Sequence, residues 1–348
     1  MAGNKLQRWY QEILSDFKKD KQEKEDWIKD GDKYKKSSSL NRGIFREVFV
    51  PIFKPENLGD NITVDEKHIG KEVYTIVANK DTGKIIAMVE SLKHKILQKV
   101  FSFMPRNKLW AVKTISKDLA SNFDWLARST FPNAEKIADK FHIIKLALEA
   151  LQAVRTRYRQ EVLTAERLRR EAHKCAEAKR RDESKKYGTH FIRKHLPKLP
   201  LMTNNETKME LLARSRGLLF KRKDQWTNSQ KERAKVLFAE FPEIKKSYNL
   251  IESFRGFYNR KPGIKNREKA SVSLKKWFKK VGASSIDEVQ NFASTVDHHQ
   301  SEILNYFNHG HTNAFAESLN AKIQRFLINN YGIKNKKFFF FRLQTFLA

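Results

Sequence analysis

Cysteine is almost missing from this chain: Cys175 is the only one. A single thiol excludes an internal disulfide framework and any zinc centre built on several cysteines, and it fits a reducing compartment. Long apolar runs are missing as well. No stretch approaches the roughly 20 residues of a membrane span, and the start, MAGNKLQRWYQ, has no signal-peptide core. No membrane role is expected, and the expected location is cytoplasmic. Acidic side chains are scarce beside basic ones. Against 70 Lys and Arg stand 40 Asp and Glu in 348 residues, which leaves a formal charge of +30. Solubility alone accounts for a magnitude of about 2–8 in a small domain. The excess implies a polyanionic partner, and the supply of aromatics puts nucleic acid first.

The first 60 residues also lack something. Leu6, Trp9, Tyr10, Ile13, Leu14 and Phe17 fall at helical spacing, the chain then becomes highly charged, and DGDKYKKSSSLNR (30–42) reads as a linker. Residues 1–60 are therefore an N-terminal helix and linker, too short and too charged for a complete helix-turn-helix domain that would read base edges in the major groove.

From Asn61 the pattern alternates. Ile62 and Val64 face one way, Thr63 and Asp65 the other, followed by runs at Glu72–Ala78 and Lys84–Val89. Short polar turns join them into an antiparallel meander. A helix follows (Ile96, Leu97, Val100, Phe101). A β-prone run from Leu109 through Trp110, Val112 and Ile115 then ends at Asp118. Next come a helix with Leu119, Phe123 and Leu126 on one face, a short strand at 136–138, and Asp139-Lys140-Phe141-His142 opening a strongly apolar helix. Three antiparallel strands, a helix, a parallel strand, a helix and a final strand is the order of a ribonuclease H-like fold with a mixed five-stranded sheet. There the first and fourth strands are neighbours, so Asp65 and Asp118 are expected to converge. A lone aspartate after a strand has a plainer use as a helix N-cap.

The core with its long helix is assigned to residues 61–187. Residues 188–300 show helical pattern only, including a Thr227-x-x-Gln230 capping box. They read as a large all-α insertion before the last catalytic helix. Residues 301–348 complete the core. Thr312 or Asn313 caps a helix whose apolar stripe is Phe315, Leu319, Ile323 and Phe326, while Glu317, Asn320 and Gln324 lie on another face.

Asp65, Asp118 and Glu317 thus stand in the order Asp, Asp, Glu. Carboxylates suit hard divalent cations, and three of them can hold two Mg²⁺ ions, with Mn²⁺ as a substitute, for in-line displacement at phosphorus. Here the sequence resembles DDE-type insertion-sequence transposases of the bacterial ISL-three family, in particular the Aon subgroup. The resemblance is carried by ITVDE, FPNA, ADKFHIIKLALEALQ, LLARSRGLLFK, QWTNSQKERAKVLFAEFPEIKKSYNL, ILNYFNHGHTNAFAESLNAKIQRF and YGIKNKKFFFFRL, in that order from Asn61 onward. It implies that Asp65, Asp118 and Glu317 are the catalytic, metal-holding triad and that Asp139 and His142 form an Asp-x-x-His motif near DNA. It further implies strand cleavage at element ends and strand transfer into target DNA. The partners it implies are double-stranded DNA, a homodimer or higher assembly on that DNA, and a separate N-terminal DNA-recognition protein. Ser116-Lys117 departs from the more apolar pair expected before the second aspartate.

Further DNA contacts are expected from Arg155, Arg157, Arg159, Arg214 and Arg216. Against this, the charge alternation after Val154 also suits a solvated helix laced with ion pairs. Trp226 reads either as a platform for a displaced base or as a core residue. His298, His299, His309 and His311 are expected to cap, face solvent or touch phosphate rather than hold zinc. Two other functions fit the same residues: a structure-specific nuclease on this fold, and a catalytically silent, domesticated DNA-binding relative.

Overall fold

The computed structural model describes residues 10–22, 48–259, 263–309, 314–330 and 335–347, apart from the side chains of residues 12, 14, 264, 265 and 314–317. The chain divides into two compact units, Met1–His142 with His299–Ala348, and Ile143–His298.

The first unit is organised by a six-stranded sheet with spatial order β1-β4-β3-β2-β5-β6. The strands are β1 (Ile52–Phe53), β2 (Asn61–Ile69), β3 (Glu72–Asn79), β4 (Ile85–Val89), β5 (Thr114–Lys117) and β6 (Glu135–Ala138). Gly70, at φ +65°, makes the tight turn from β2 into β3. The meander pairs antiparallel, and β5 and β6 then join β2 in parallel. The first and fourth strands of the expected order are indeed neighbours. The expected five strands become six because Ile52–Phe53 pairs with β4. Two residues beside Pro51 give no alternation from which a strand can be read.

Alternation along β2 divides the two layers. Ile62 and Val64 join Val77, Ile86, Val89 and Ile115 beneath α1 (His94–Phe101), α2 (Arg106–Trp110) and α3 (Ser121–Thr130). The opposite face, with Ile69, Tyr74, Ile76, Ile85 and Met88, packs against Leu319, Ile323, Phe326, Phe339, Phe340 and Leu343. Each such burial stabilises by about 1.5–3 kcal/mol. The strand expected from Leu109 is corrected at its start. Pro105 precedes a one-turn helix that turns Leu109 into the core and leaves Trp110 half exposed, and the strand begins only at Thr114.

The remaining helices are α4 (Lys140–Lys186), α5 (Lys208–Arg214), α6 (Arg216–Phe220), α7 (Asn228–Glu240), α8 (Pro242–Phe257), α9 (Ile264–Gly282), α10 (Asp287–His298), α11 (Gln300–His309), α12 (Ala314–Asn329) and α13 (Lys336–Leu347). The second unit has no strand among its described residues. Thr207 with Glu210 and Thr227 with Gln230 form reciprocal caps on α5 and α7, and Pro242 takes the first position of α8. Its core is aromatic: Trp226, Tyr248, Phe254, Trp277 and Phe292 are all buried. In α4 the last buried residue is Arg155. The outer half is a solvated helix with pairs such as Arg170–Glu166 and Arg167–Glu171. No helix among the described residues is long and apolar enough to cross a membrane.

Candidate active site

Register builds the site. Val64 pairs with Lys117 and Lys117 with Ala138, so the next residues, Asp65, Asp118 and Asp139, form a row across β2, β5 and β6. Parallel strands lie about 4.8 Å apart, and like positions share a face. Asp118 and Asp139 therefore lie just past the carboxyl ends of β5 and β6, where open α/β sheets place their chemistry, beside Asp65 in the middle of the longer β2.

Each carboxylate is held differently. Asp65 Oδ1 accepts the Glu66 amide at 2.8 Å, and Oδ2 accepts Nδ2 of Asn320 at 2.6 Å. Burial pushes the Asp65 carboxyl above its usual range, against the pull of those two donors and of His142. Asp118 is half-buried, and its Oδ1 accepts the Leu119 amide. Asp139 is buried, and it is both cap and orienter. Oδ1 accepts the Phe141 amide at 3.0 Å, and Oδ2 lies 2.5 Å from His142 Nδ1. The imidazole is thus fixed with Nε2 turned to Asp118, 3.7 Å from its Oδ2. The bond to Asp139 raises the His142 pKa; burial opposes this, and Asp118, Asp139 and Asp65 add to it. Asp139 and His142 therefore lie against Asp118.

Glu317 lies in α12 one turn before Asn320, and its side chain, like Thr312 and Asn313, is outside the described residues. Among the described residues no group of three or more His, Cys, Asp or Glu is arranged to hold a metal ion. Of the histidines weighed for zinc, His309 pairs with Glu135 and His299 lies 3.5 Å from Glu302, while His311 is outside the described residues.

Three residues beside the site make contacts that the sequence did not assign. Asn320 shares a helical face with Glu317, three residues on, which was the available signal. Lys80 follows β3 and donates to Ser116 Oγ at 3.0 Å; burial pulls its pKa down to about 8, against Asp139 and Asp81. Phe141, 55% exposed, meets the His142 ring edge-on beside the carboxylates.

Several residues expected at DNA have partners within the fold. Trp226 is a core residue. Its indole N–H donates to the Leu218 carbonyl at 2.8 Å, and its ring packs on Tyr248 and Phe238, so no face is open to a base. Arg155 is buried and donates to Gln152 and the Leu212 carbonyl. Arg157 binds Glu243 and Glu288, and Arg214 binds Glu206 and Glu210. These three meet internal partners where phosphates were expected. Arg159 is half-buried and Arg216 exposed.

The family model of DDE transposases of the ISL3 type, described as transposase, matches residues 62–343. Transposases for insertion sequence element IS1557 from two Mycobacterium tuberculosis strains, CDC 1551 / Oshkosh and ATCC 25618 / H37Rv, are each 23% identical over 264 residues, 75% of this chain and 53% of theirs. The chain thus spans about half the length of the curated relatives it matches. No solved structure matches it with significance.

Proposed function

The chain belongs to the ISL3-type DDE transposase family, and from that premise we propose that it cuts phosphodiester bonds at insertion-sequence ends and transfers the freed strand into target DNA. Asp65, Asp118 and Glu317 are the carboxylates of this reading. The observation that carries it is the Asn320–Asp65 hydrogen bond, which spans 255 positions and brings the helix of Glu317 to the row of aspartates.

The residues fit a pair of Mg²⁺ ions, with Mn²⁺ as substitute. The donors are all carboxylate oxygens, and Asp65 is a partly desolvated carboxyl whose anionic form gains from a nearby cation. When bound, the ions supply activation of the attacking oxygen and charge stabilisation at phosphorus. The chain's own groups do the rest. Asp139 accepts the Nδ1 proton of His142 and favours the imidazolium, whose Nε2 presents a proton toward Asp118 and a neighbouring phosphate. Asn320 fixes the Asp65 rotamer. The partners of this reading are double-stranded DNA at element ends and targets, a second copy or more on that DNA, and a separate recognition protein, in the bacterial cytoplasm. The charge of +30 supports sequence-independent backbone binding with strong salt dependence.

The test is a nicking and joining assay with duplexes carrying the element's ends. The parent chain is expected to nick with Mg²⁺ and to join a pre-cut 3′ end to a second duplex. Asp65→Asn and Asp118→Asn are expected to bind DNA but do neither. Nicking without joining would favour a nuclease, and DNA binding with no nicking would favour a silent DNA-binding protein.

A further inference from the structure

Resting on that reading, we propose that Lys117 and Glu302 form a positioning pair for Asp118, a buried ion pair that fixes the peptide leaving β5 and with it the direction of the candidate metal-holding carboxylate.

Lys117 is the last residue of β5, so alternation turns its side chain to the face opposite Ser116 and Asp118. It is fully buried, at 0% exposure. Lysine almost never sits so deep unless paired. Its ammonium lies 2.9 Å from Glu302 Oε2, 3.5 Å from Asp124 Oδ1 and 3.5 Å from the backbone oxygen of Asp118. Glu302, in the first turn of α11, is itself 8% exposed, and His299 stands 3.5 Å from the same oxygen. Burial opposes ionisation of Asp124, but Lys117, Lys136 and Arg128 together hold its carboxyl below the ordinary range. Asp124 therefore keeps two cations when Lys117 is removed.

A buried ion pair is a poor way to stabilise a fold, because apolar residues of the same volume often do as well or better. What an apolar residue at 117 lacks is a donor for the Asp118 carbonyl. That carbonyl is held by the ammonium, and the following amide is held by the Asp118 carboxylate. The peptide carrying the carboxylate is thereby gripped on both sides, from an anchor 185 residues further along the chain. Lys117 is the residue by which this chain departs from the apolar pair expected before the aspartate, and the geometry gives that departure a use.

The test compares three full-length chains. Lys117→Met alone leaves Glu302 buried without its cation and is expected to melt about 5 °C or more below the parent. Lys117→Met/Glu302→Met removes both charges and is expected to melt within about 3 °C of the parent, with unchanged DNA affinity. In this stable double variant kcat for nicking is expected to fall about 10²-fold with KM unchanged, the size of effect that misplacing a catalytic group produces. The Mn²⁺ concentration that half-saturates the ion-induced rise in Tm is expected to increase about ten-fold. A double variant as stable, as active and as responsive to Mn²⁺ as the parent would overturn the positioning role. A parent that neither nicks DNA nor responds to Mn²⁺ would instead overturn the proposed function.

Discussion

Replacing Arg157 with Met removes a guanidinium that ties Glu243 on α8 to Glu288 on α10. Its Nε donates to Glu288 Oε1 at 2.8 Å, and a terminal nitrogen meets Glu243 Oε1. Sheltered hydrogen bonds to charged groups contribute about 1.5–3 kcal/mol each, and exposed ion pairs about 0–1. The Arg157 side chain is 39% exposed and its partners 31% and 20%, which puts each contact between those limits, near 1–1.5 kcal/mol. The expected loss is about 2–3 kcal/mol, or roughly 4–12 °C in Tm for a unit of this size. Burial disfavours a charged Glu288, yet Arg157 outweighs it and holds the carboxyl below its ordinary 4.5. This part of the stability is present above that value and is lost as pH falls through the lowered one, so the gap between parent and variant is expected to narrow in acid. Urea melts at neutral and acid pH measure it, beside the salt dependence of binding to random duplex DNA, whose slope is expected to stay unchanged. Unaltered melting together with a log–log salt slope smaller by about 0.9 would refute this and return Arg157 to the phosphate backbone.

Other outcomes follow from the same geometry. Trp226→Phe keeps a ring in the core but leaves the Leu218 carbonyl without its indole donor. A cost of about 1–3 kcal/mol is expected with unchanged DNA affinity, and a ten-fold weaker Kd would restore a stacking role. His142 is held at a raised pKa, so its stabilising contribution is complete below the ordinary 6.5 and fades as pH rises through the raised value. His142→Gln is expected to flatten that part of the metal-free stability–pH curve, and a curve that keeps its slope would contradict this. Asn320 favours the anionic form of Asp65. Asn320→Ala is therefore expected to raise the Asp65 pKa further in a carboxyl NMR titration, and a fall would count against it.

Strand order and the meeting of Asp65 with Asp118 were legible because both rest on short-range pattern: alternation in β2, and a strand–helix–strand repeat around Asp118. The insertion's helices announced themselves through Thr227, Gln230 and Pro242, whose capping chemistry is local. What could not be read depends on partners far along the chain. Arg157 looks like a phosphate contact until Glu243 and Glu288 fold onto it, because sequence shows a charge but not the charge that neutralises it. Trp226 has the same problem, since only the tertiary neighbours Tyr248 and Leu218 decide that its ring is inside. Lys117 stood out as an oddity, and its meaning lay in Glu302, 185 residues later.

The hydrogen bond from Asn320 to Asp65 also sets a schedule. At about 5–20 residues per second of synthesis, the 255 positions between them take roughly 10–50 s to emerge. During that interval the sheet face carrying Tyr74, Ile76, Ile85 and Met88 waits for α12 and α13 to cover it, and Asp65 waits for its amide partner. A polypeptide released before α12 is made would display an uncovered apolar sheet and an Asp65 without its amide partner. It would present itself to proteases with that contact unmade, so the surroundings of Asp65 are completed only when the last helices of the core are in place.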